Sequence, residues 1–319
     1  MSEIIVSKDR AANMTTPLFS IVIPTYARPH ILRECLAAVA RLDTRADFEV
    51  IVVDDGSPEP IGPVVDAFRD TLPIRLVQRP RGGPAVARNT GATVARGRYL
   101  AFTDDDCRPA ADWLTVLAAE FERDGRRLLG GRVENALTHN LYSEASERIG
   151  QFVYEYSRNN GAQEPFFTTN NVAVCAEHFR AIGGFTSLIP SATAEDKEFC
   201  DRWRANGLPL AHVPTAVVYH AHHLTFRGFL RQHYNYGRGI LAFRLLRRGR
   251  GNSHDLVPEP VTFYLDLLAS PLRLQAKSGK WRLVGLLACS QLATATGALI
   301  QMLRWRELRR IRAAATTEA

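Results

Sequence analysis

The sequence predicts an α/β protein with a mostly parallel sheet flanked by helices, and three observations carry that prediction. Short apolar segments alternate with segments of helical periodicity through the N-terminal third of the chain. The apolar segments are almost continuous, which is typical of strands buried on both faces of a sheet. Acidic residues directly follow two of these segments, at Asp54–Asp55 and Asp104–Asp106. Strands and helices that alternate in this way build βαβ units, whose strands run parallel.

The elements are expected in a regular order. Four strands lie in the N-terminal part, at Ser20–Pro24, Phe48–Val53, Ile74–Val77 and Tyr99–Phe102. Helical segments lie between them, over 30–40, 61–70 and 85–94. Farther along we expect helices over 176–181 and 194–207 and a last strand from Leu210 to His220. Residues 141–165 are polar and aromatic and are assigned to no element.

The composition is that of a folded protein, with 46% hydrophobic and 23% charged residues among 319. The formal charge is +7 and the pI about 9.4, but the basic residues crowd in two places, 242–250 and 304–312. Charge alone therefore does not favour nucleic-acid binding. Five scattered cysteines without a CxxC pair disfavour zinc and a disulfide framework, so we expect a reducing cytosol. No long apolar run follows Lys8 and Arg10, so no signal peptide is expected.

The acidic segments predict a ligand site. In open α/β sheets, ligands bind beyond the carboxyl ends of the strands, so Asp54–Asp55 and Asp104–Asp106 are expected to line one crevice. Three consecutive carboxylates repel one another unless a cation or hydrogen-bond donors hold them. The loop around Gly82-Gly83 adds backbone N–H groups and nearby arginines, which suit phosphate: Arg79, Arg81 and Arg88. Neither a dinucleotide fingerprint nor a P-loop is present.

Two further groups of residues leave alternatives open. Glu195 and Asp196 begin a helix, whose dipole favours acidic residues in the first turn even without a catalytic role. His220, His222 and His223 crowd the end of the last strand, as metal ligands or as surface histidines.

Six short motifs, in order along residues 18–225, resemble family 2 glycosyltransferases of the GT-A fold. They are Ser20–Tyr26, Val52–Ser57, Gly83–Gly91, Phe102–Asp106, Gly183–Phe185 and Glu195–Asp196. The resemblance implies a Rossmann-like GT-A catalytic domain. It also implies a nucleotide pocket formed by Pro24, Thr25, Tyr26, Arg28, Asp54, Asp55, Arg88, Asp104 and Asp105.

The resemblance also implies the remaining site residues. Asp104 and Asp106 match the acidic positions of the DxD motif and would hold Mn²⁺ or Mg²⁺, with His220 as a further ligand and His222 as its alternate. Asp196 matches the general base, with Glu195 beside it. The region that receives acceptor or donor sugar corresponds to Thr169, Asn170, Asn171 and Phe185, for which ordinary loop and core packing is the alternative.

The function expected from these residues is metal-dependent, inverting transfer of a sugar from a UDP- or GDP-linked donor to a hydroxyl of a glycan or lipid-linked acceptor. No Gln-x-x-Arg-Trp signature of processive synthases is present, which favours adding one or a few sugars in polysaccharide biosynthesis. The alternatives are a nucleotidyltransferase and a non-catalytic membrane-surface binding protein of the same fold. The segment Tyr234–Gly239 resembles a stretch in bacterial relatives, without an assigned mechanism.

Three regions are expected along the chain: a flexible tail over 1–17, the catalytic domain over 18–225 and a basic, amphipathic helical extension over 226–319. No charged residue lies between Leu283 and Leu303, a length that suffices to cross a membrane. Its polar residues make insertion marginal, and a helical hairpin packed on the protein is the alternative. We expect a cytoplasmic enzyme held peripherally on the inner membrane surface.

Overall fold

The computed structural model describes residues 5–6, 16–159, 166–189, 193–250, 259–273 and 279–304. The chain divides into two compact units. The sheet unit comprises Met1–Glu134, Phe166–Thr186 and Phe199–Ala221. The helical unit comprises Asn135–Pro165, Ser187–Glu198 and His222–Ala319.

The described residues form one nine-stranded sheet, in the order β1-β4-β3-β2-β5-β8-β7-β9-β6. The strands are β1 (Ile5–Val6), β2 (Phe19–Thr25), β3 (Phe48–Asp54), β4 (Ile74–Gln78), β5 (Tyr99–Phe102), β6 (Cys107–Pro109), β7 (Leu128–Asn135), β8 (Val172–Cys175) and β9 (Leu210–His220). Strand β2 pairs in parallel with β3 and β5, and β3 pairs in parallel with β4. Antiparallel pairs follow on the other side, β5 with β8, β8 with β7 and β6 with β9.

Ten helices lie in the described part of the chain. They are α1 (Pro29–Val39), α2 (Gly62–Asp66), α3 (Pro84–Val94), α4 (Trp113–Arg123), α5 (Leu141–Asn159), α6 (Ala176–Ala181), α7 (Glu195–Ala205), α8 (Phe226–Gly249), α9 (Val261–Ala269) and α10 (Lys280–Leu303). The predicted α/β class with flanking helices is confirmed, but the expectation of a mostly parallel sheet needs a correction. The sheet is mixed: β2–β3, β2–β5 and β3–β4 are parallel, whereas β1–β4, β5–β8, β7–β8 and β6–β9 are antiparallel. Helix α5 occupies the segment that the sequence assigned to no element.

The expected flexible tail needs one correction. Ile5 and Val6 pair antiparallel with Gln78 and Val77 at the edge of the sheet. Without this pairing, the outer edge of β4 would present unpaired backbone N–H and C=O groups, and β1 supplies hydrogen-bond partners for them. Most of the remaining tail, like the basic residues from 305 onward, lies outside the described residues.

The core of the sheet unit lies on both faces of the central strands. All seven residues of β2 are buried, as the continuous apolar pattern predicts. On one face, Tyr99 and Phe121 stack with ring centroids 3.8 Å apart, next to Phe19. On the other face, α3 approaches so closely that a Cβ at Gly91 would lie 2.5 Å from Val22. This close approach requires glycine at position 91.

A charged cluster is buried within the same sheet. Glu49 is only 2% exposed and accepts hydrogen bonds from Ser20 Oγ at 2.6 Å, Arg75 Nη2 at 2.6 Å and the backbone N–H of Arg96 at 2.7 Å. Burial acts to raise the pKa of Glu49, but these donors outweigh it and the pKa is lowered. Glu49 is therefore an ionised structural residue of β3.

The helical unit is built around α8 and α10, which pack side by side. A Cβ at Gly237 would lie 1.9 Å from the carbonyl oxygen of Thr294, and one at Gly297 would lie 1.9 Å from that of Tyr234. Helices α5 and α9 cover one side through an apolar cluster with α8 and α10 that includes Ala145, Leu224, Phe229, Phe263, Leu267, Leu283 and Leu287. The helical unit thus takes in residues 135–165 and 187–198 besides the predicted extension over 226–319.

Candidate active site

The two acidic segments lie at neighbouring strand ends. Strand β2 is flanked by β3 and β5, and Thr25 at its end is paired with Asp54. The backbone N–H of Asp55 donates to the carbonyl of Thr25 at 3.0 Å. Pro24 is buried in β2 just before this point. The carboxyl ends of three parallel strands therefore meet where open α/β sheets bind ligands.

Arginine and hydroxyl donors surround the triple aspartate. Arg28, at the start of α1, donates to Asp106 Oδ2 at 3.0 Å and also pairs with Asp105. Thr25 Oγ1 donates to Asp105 Oδ2 at 2.7 Å. From α3, Arg88 pairs with Asp104 at 2.5 Å. These donors offset the repulsion among the three carboxylates, and Arg28 remains 45% exposed to solvent.

The environment shifts the pKa values of two of these groups. Burial, with the charge of Asp106 added, raises the pKa of Asp105 to about 7 against the opposing charge of Arg28. Burial alone lowers the pKa of His220, but its hydrogen bond to Asp106 and the charges of Asp106 and Asp104 outweigh burial and raise it. Shifts of this kind in a strand-end crevice are typical of functional sites.

The residues around Asp106 fit a divalent cation. His220 Nε2 lies 3.2 Å from Asp106 Oδ1, and Asp106, Cys107 and His220 offer ligand atoms within 4.8 Å of one another. Burial raises the pKa of the Cys107 thiol well above its usual range, so this sulfur stays protonated. The available donors are thus a carboxylate and an imidazole, a set that suits Mn²⁺ or Mg²⁺ better than a soft metal. Asp104 is 26% exposed and paired with Arg88, and its metal contact stays a prediction.

Asp54 and Asp55 organise the loops of the crevice. Asp55 accepts from the backbone N–H groups of Gly82 at 3.0 Å and Gly83 at 2.7 Å, and it pairs with Arg79. Asp54 accepts from the backbone N–H of Ser57 at 2.9 Å. The carboxylates predicted to touch the nucleotide therefore anchor the turn after β3 and the glycine loop before α3. Their contact with a nucleotide stays a prediction.

Tyr26 and Arg81 form a cation–π pair beside these loops. The guanidinium of Arg81 lies 4.1 Å above the ring of Tyr26 and donates to its hydroxyl at 3.1 Å. Ala27, between Tyr26 and Arg28, has φ of 54°, and such backbone strain is concentrated at functional sites. Arg79 and Arg81, which the sequence indicates as suited to phosphate, thus lie beside Asp55 and Tyr26, and their contact with a phosphate stays a prediction.

Two of the predicted sugar-binding residues have other roles. Asn171 is buried, and its amide accepts from Trp113 Nε1 at 2.9 Å and donates to the carbonyls of Arg132 and Ala216, both at 2.9 Å. These contacts favour the alternative of core packing for Asn171, and its contact with a sugar stays a prediction. Phe185 is likewise a core residue, packed against the rings of Phe102, Phe179 and Phe199.

The neighbouring predictions, Thr169 and Asn170, lie in the 3₁₀ turn that precedes β8, and both side chains are buried. The carbonyl of Asn170 accepts from Thr103 Oγ1 at 3.0 Å, which joins this turn to the end of β5. Their contact with a sugar stays a prediction.

The predicted base and its neighbour belong to the helical unit. Glu195 and Asp196 form the first turn of α7, and Asp196 Oδ1 accepts from the backbone N–H of Lys197 at 2.7 Å. His222, the alternate metal ligand, is also in the helical unit, where its carbonyl accepts from Ser143. Within the sheet unit, the structure therefore brings together Thr25, Arg28, Arg88, Asp104–Asp106 and His220. Asp196 belongs to the helical unit.

Comparison with known proteins places these features in a family. Residues 20–183 match the model of glycosyl transferase family 2. Glycosyltransferase AglE of Haloferax volcanii is 28% identical over 238 residues, which cover 73% of this chain and 76% of that protein. Validoxylamine A glucosyltransferase of Streptomyces hygroscopicus subsp. jinggangensis is 30% identical over 228 residues, 62% of this chain, and the chain spans only 54% of that relative's length.

A solved structure has the same fold. Mannosyltransferase PcManGT from Pyrobaculum calidifontis, in complex with GDP-Man and Mn²⁺, aligns with 98% of this chain and 87% of its own, at a TM-score of 0.59 and 20% identity. The region matched by the family model, residues 20–183, contains β3, β5, all of β2 except Phe19, and the acidic segments that follow these strands. The chain belongs to glycosyl transferase family 2 and has the GT-A fold.

Proposed function

We propose that this protein is a metal-dependent, inverting glycosyltransferase that moves a sugar from a nucleoside-diphosphate sugar to a hydroxyl of a glycan or lipid-linked acceptor. The observation that carries the proposal is the cluster of charged side chains at the ends of β2, β3 and β5. There Arg28, Arg88 and His220 gather around Asp104–Asp106. The GDP-Man and Mn²⁺ bound by PcManGT support the donor and metal classes by analogy of fold.

Asp106 and His220 would hold the cation, with Asp104 as a further carboxylate. When bound, Mn²⁺ or Mg²⁺ neutralises the negative charge that grows on a diphosphate leaving group. Arg28 and Arg88 present guanidinium groups to the same place and would bind diphosphate oxygens bidentately. The exposed Arg28 is free to turn from the carboxylates toward such a ligand, because nearly half of its side chain faces solvent.

The nucleotide itself would lie against Tyr26. The ring, backed by Arg81, offers an apolar face for a base, while Asp55 fixes the Gly82-Gly83 loop by accepting from its N–H groups. Thr25 orients Asp105, which would accept from a ribose hydroxyl. This arrangement binds and orients the donor with little rearrangement of the loops.

Asp196 would act as general base, with Glu195 beside it. The attacking hydroxyl of the acceptor loses its proton to the Asp196 carboxylate as the bond to the anomeric carbon forms and the bond to the diphosphate breaks. A single displacement of this kind inverts the anomeric configuration. A covalent intermediate would need a second nucleophile, and the described residues of the crevice offer none beyond the aspartates that hold the donor.

The protein would work at the cytoplasmic membrane surface. Among the described residues, α10 is long and apolar enough to cross a membrane, although a buried core helix can pass the same criterion. Trp281, Leu292, Leu299 and Leu303 lie on one exposed face of it, with Leu292 70% and Leu299 58% exposed. Lys280, Arg282 and Arg304 flank this face at its two ends. Apolar residues flanked by cations suit a helix that lies in the interface of an anionic membrane, where a lipid-linked acceptor resides.

Donor binding by the purified protein tests the proposal. Calorimetry with UDP-glucose, UDP-N-acetylglucosamine and GDP-mannose, each with Mn²⁺, Mg²⁺ or EDTA, should show one donor bound with metal and not with EDTA. Asp106→Ala should weaken that binding at least about tenfold, because a cation ligand is lost. Asp112→Ala, an exposed aspartate of the sheet unit, is the matched control. Absence of binding to every donor with every metal would refute the proposal in favour of a non-catalytic protein of this fold.

A further inference from the structure

The first turn of α7, residues 195–198, is supported by α8 within the helical unit. Ala194, just before this turn, belongs to a buried apolar cluster with Ala242 of α8. Thr193 lies so close to Gly239 that a Cβ there would be 2.0 Å from its Oγ1. The backbone that leads into α7 therefore rests directly on α8. This contact gives a physical reason for a glycine in the Tyr234–Gly239 segment.

A buried ion pair ties the same turn to the end of α8. Arg250 Nη1 donates to Glu198 Oε1 at 2.8 Å, and the Glu198 side chain is only 1% exposed. The backbone N–H of Glu198 donates to the carbonyl of Ala194 at 3.0 Å, so Glu198 closes the first turn of the helix. Breaking a buried ion pair by removing one partner is strongly destabilising, so this pair constrains the turn.

The constraint acts on the segment that carries the expected base. Asp196 is two residues before Glu198 in the same turn, and its Oδ1 accepts from the backbone N–H of Lys197. The direction of the Asp196 carboxylate thus depends on the backbone of this turn. Because reacting groups must be held within a few tenths of an ångström, a shift of about 1 Å costs about 100-fold in rate.

We propose that Arg250 is a positioning residue for Asp196. By binding Glu198, Arg250 fixes the first turn of α7 against α8 and so sets the direction in which the Asp196 carboxylate meets the acceptor hydroxyl. The inference rests on the proposed function, in which Asp196 is the general base. It assigns the C-terminal helical extension a part in catalysis as well as in membrane binding.

The experiment compares Arg250→Gln with Arg248→Gln in the full chain. Arg248 is an exposed arginine two residues earlier on α8, so its variant removes the same charge without breaking the buried pair. Amide hydrogen exchange, measured without any ligand, should be at least about tenfold faster in a peptide covering 194–199 in Arg250→Gln and unchanged in Arg248→Gln. Thermal unfolding of each variant checks that the protein is folded.

Turnover gives the second readout. Release of nucleoside diphosphate from the donor that the wild type uses, in Mn²⁺, should show kcat lower by about 10–100-fold in Arg250→Gln and a donor KM within about twofold. Glu198→Gln should behave alike, and the double variant should be no worse than either single one. Arg250→Lys should restore part of the rate, since it restores the charge without the fork.

The outcomes separate this inference from the proposed function. Unchanged exchange at 194–199 overturns the positioning role whatever the activity is. Faster exchange with an unchanged kcat overturns it as well, provided that Asp196→Asn abolishes turnover. If Asp196→Asn retains full turnover, the assignment of the base is wrong and the positioning of a base falls with it, while the exchange result still shows whether Arg250 orders the turn.

Discussion

Glu49 and Asp105 are buried carboxylates of the same sheet unit, yet their surroundings move their pKa values in opposite directions. Burial acts to raise the pKa of both. At Glu49, hydrogen bonds from Ser20 and the Arg96 backbone outweigh burial, and the carboxylate is structural. At Asp105, the charge of Asp106 adds to burial and the pKa rises to about 7. A buried carboxylate whose donors outweigh burial stabilises the fold, whereas a raised pKa beside a like charge at strand ends is typical of a functional site.

Replacing Glu49 tests this structural role. Because its folded-state pKa is below the unfolded value, Glu49 contributes stability that is present above the unfolded pKa near 4.3 and is lost as pH falls through the folded pKa. Glu49→Gln should lower the free energy of unfolding by about 3–5 kcal/mol at pH 7, since it leaves Arg75 buried without its carboxylate. It should also flatten the fall in stability below pH 4.5.

Urea unfolding at pH 7 and at pH 3.5 measures both effects. Glu34→Gln is the control, because Glu34 pairs with Arg108 on the surface, where removal of an ion pair costs less than about 1 kcal/mol. Equal destabilisation by the two variants would contradict the role of the buried cluster.

Asn171 provides a second prediction at this scale. Asn171→Ala leaves the buried indole N–H of Trp113 and two backbone carbonyls without their hydrogen-bond partner. We expect a loss of about 2–4 kcal/mol in the free energy of unfolding and a donor KM within about twofold of the wild type, because the side chain serves the fold. A stable Asn171→Ala protein with a strongly raised KM would restore the sugar contact that the sequence suggested. Asn206→Ala, on the surface, should change neither quantity.

At the scale of elements, two glycines decide how α8 and α10 pack. Gly297→Ala would set a methyl group 1.9 Å from the carbonyl oxygen of Tyr234, a backbone atom that cannot move aside without shifting α8. We expect a loss of about 1–3 kcal/mol and a lower midpoint in thermal unfolding followed by helical circular dichroism.

The same helix contains its own control. Gly285 meets nothing within 4 Å, so Gly285→Ala should stabilise α10 by about 0.5–1 kcal/mol through helix propensity alone. A Gly297→Ala protein that is as stable as Gly285→Ala would show that the two helices do not pack through these glycines.

At the scale of the whole molecule, the proposed membrane binding depends on the exposed apolar face of α10. The double substitution Leu292→Asp and Leu299→Asp puts two charges on a face that would otherwise enter the membrane interface. We expect at least about tenfold weaker co-sedimentation with vesicles of phosphatidylcholine and phosphatidylglycerol, because burial of each leucine contributes about 1.5–3 kcal/mol. Added salt should weaken vesicle binding by the wild type as well, because it screens the charges of Lys280, Arg282 and Arg304.

The matched control lies in the sheet unit. Ile5→Asp makes the same chemical change at an exposed apolar residue of β1 and should leave vesicle binding unchanged. Undiminished binding by the double α10 variant would show that another surface carries the membrane contact.

The parallel strands β2 to β5, the acidic strand ends and the family could all be predicted from the sequence. These features are local: a continuous apolar run marks a strand buried on both faces, and the position of Asp104–Asp106 after such a run already places them at the ligand edge of a sheet. The motifs that carry the family resemblance are equally short, so they can be recognised without knowledge of the contacts between distant segments.

Which side chains remain available for a ligand depends on contacts that are visible only in the folded protein. Asn171 and Phe185 lie in the region that the family resemblance assigns to sugar binding, but distant segments engage the amide of Asn171 in three hydrogen bonds and enclose the ring of Phe185. Helix α5 could likewise not be predicted from the sequence, because its apolar face packs against α8, α9 and α10, which follow later in the chain. Hydrogen-bond saturation and burial arise from contacts across long separations in sequence, and no local pattern records them.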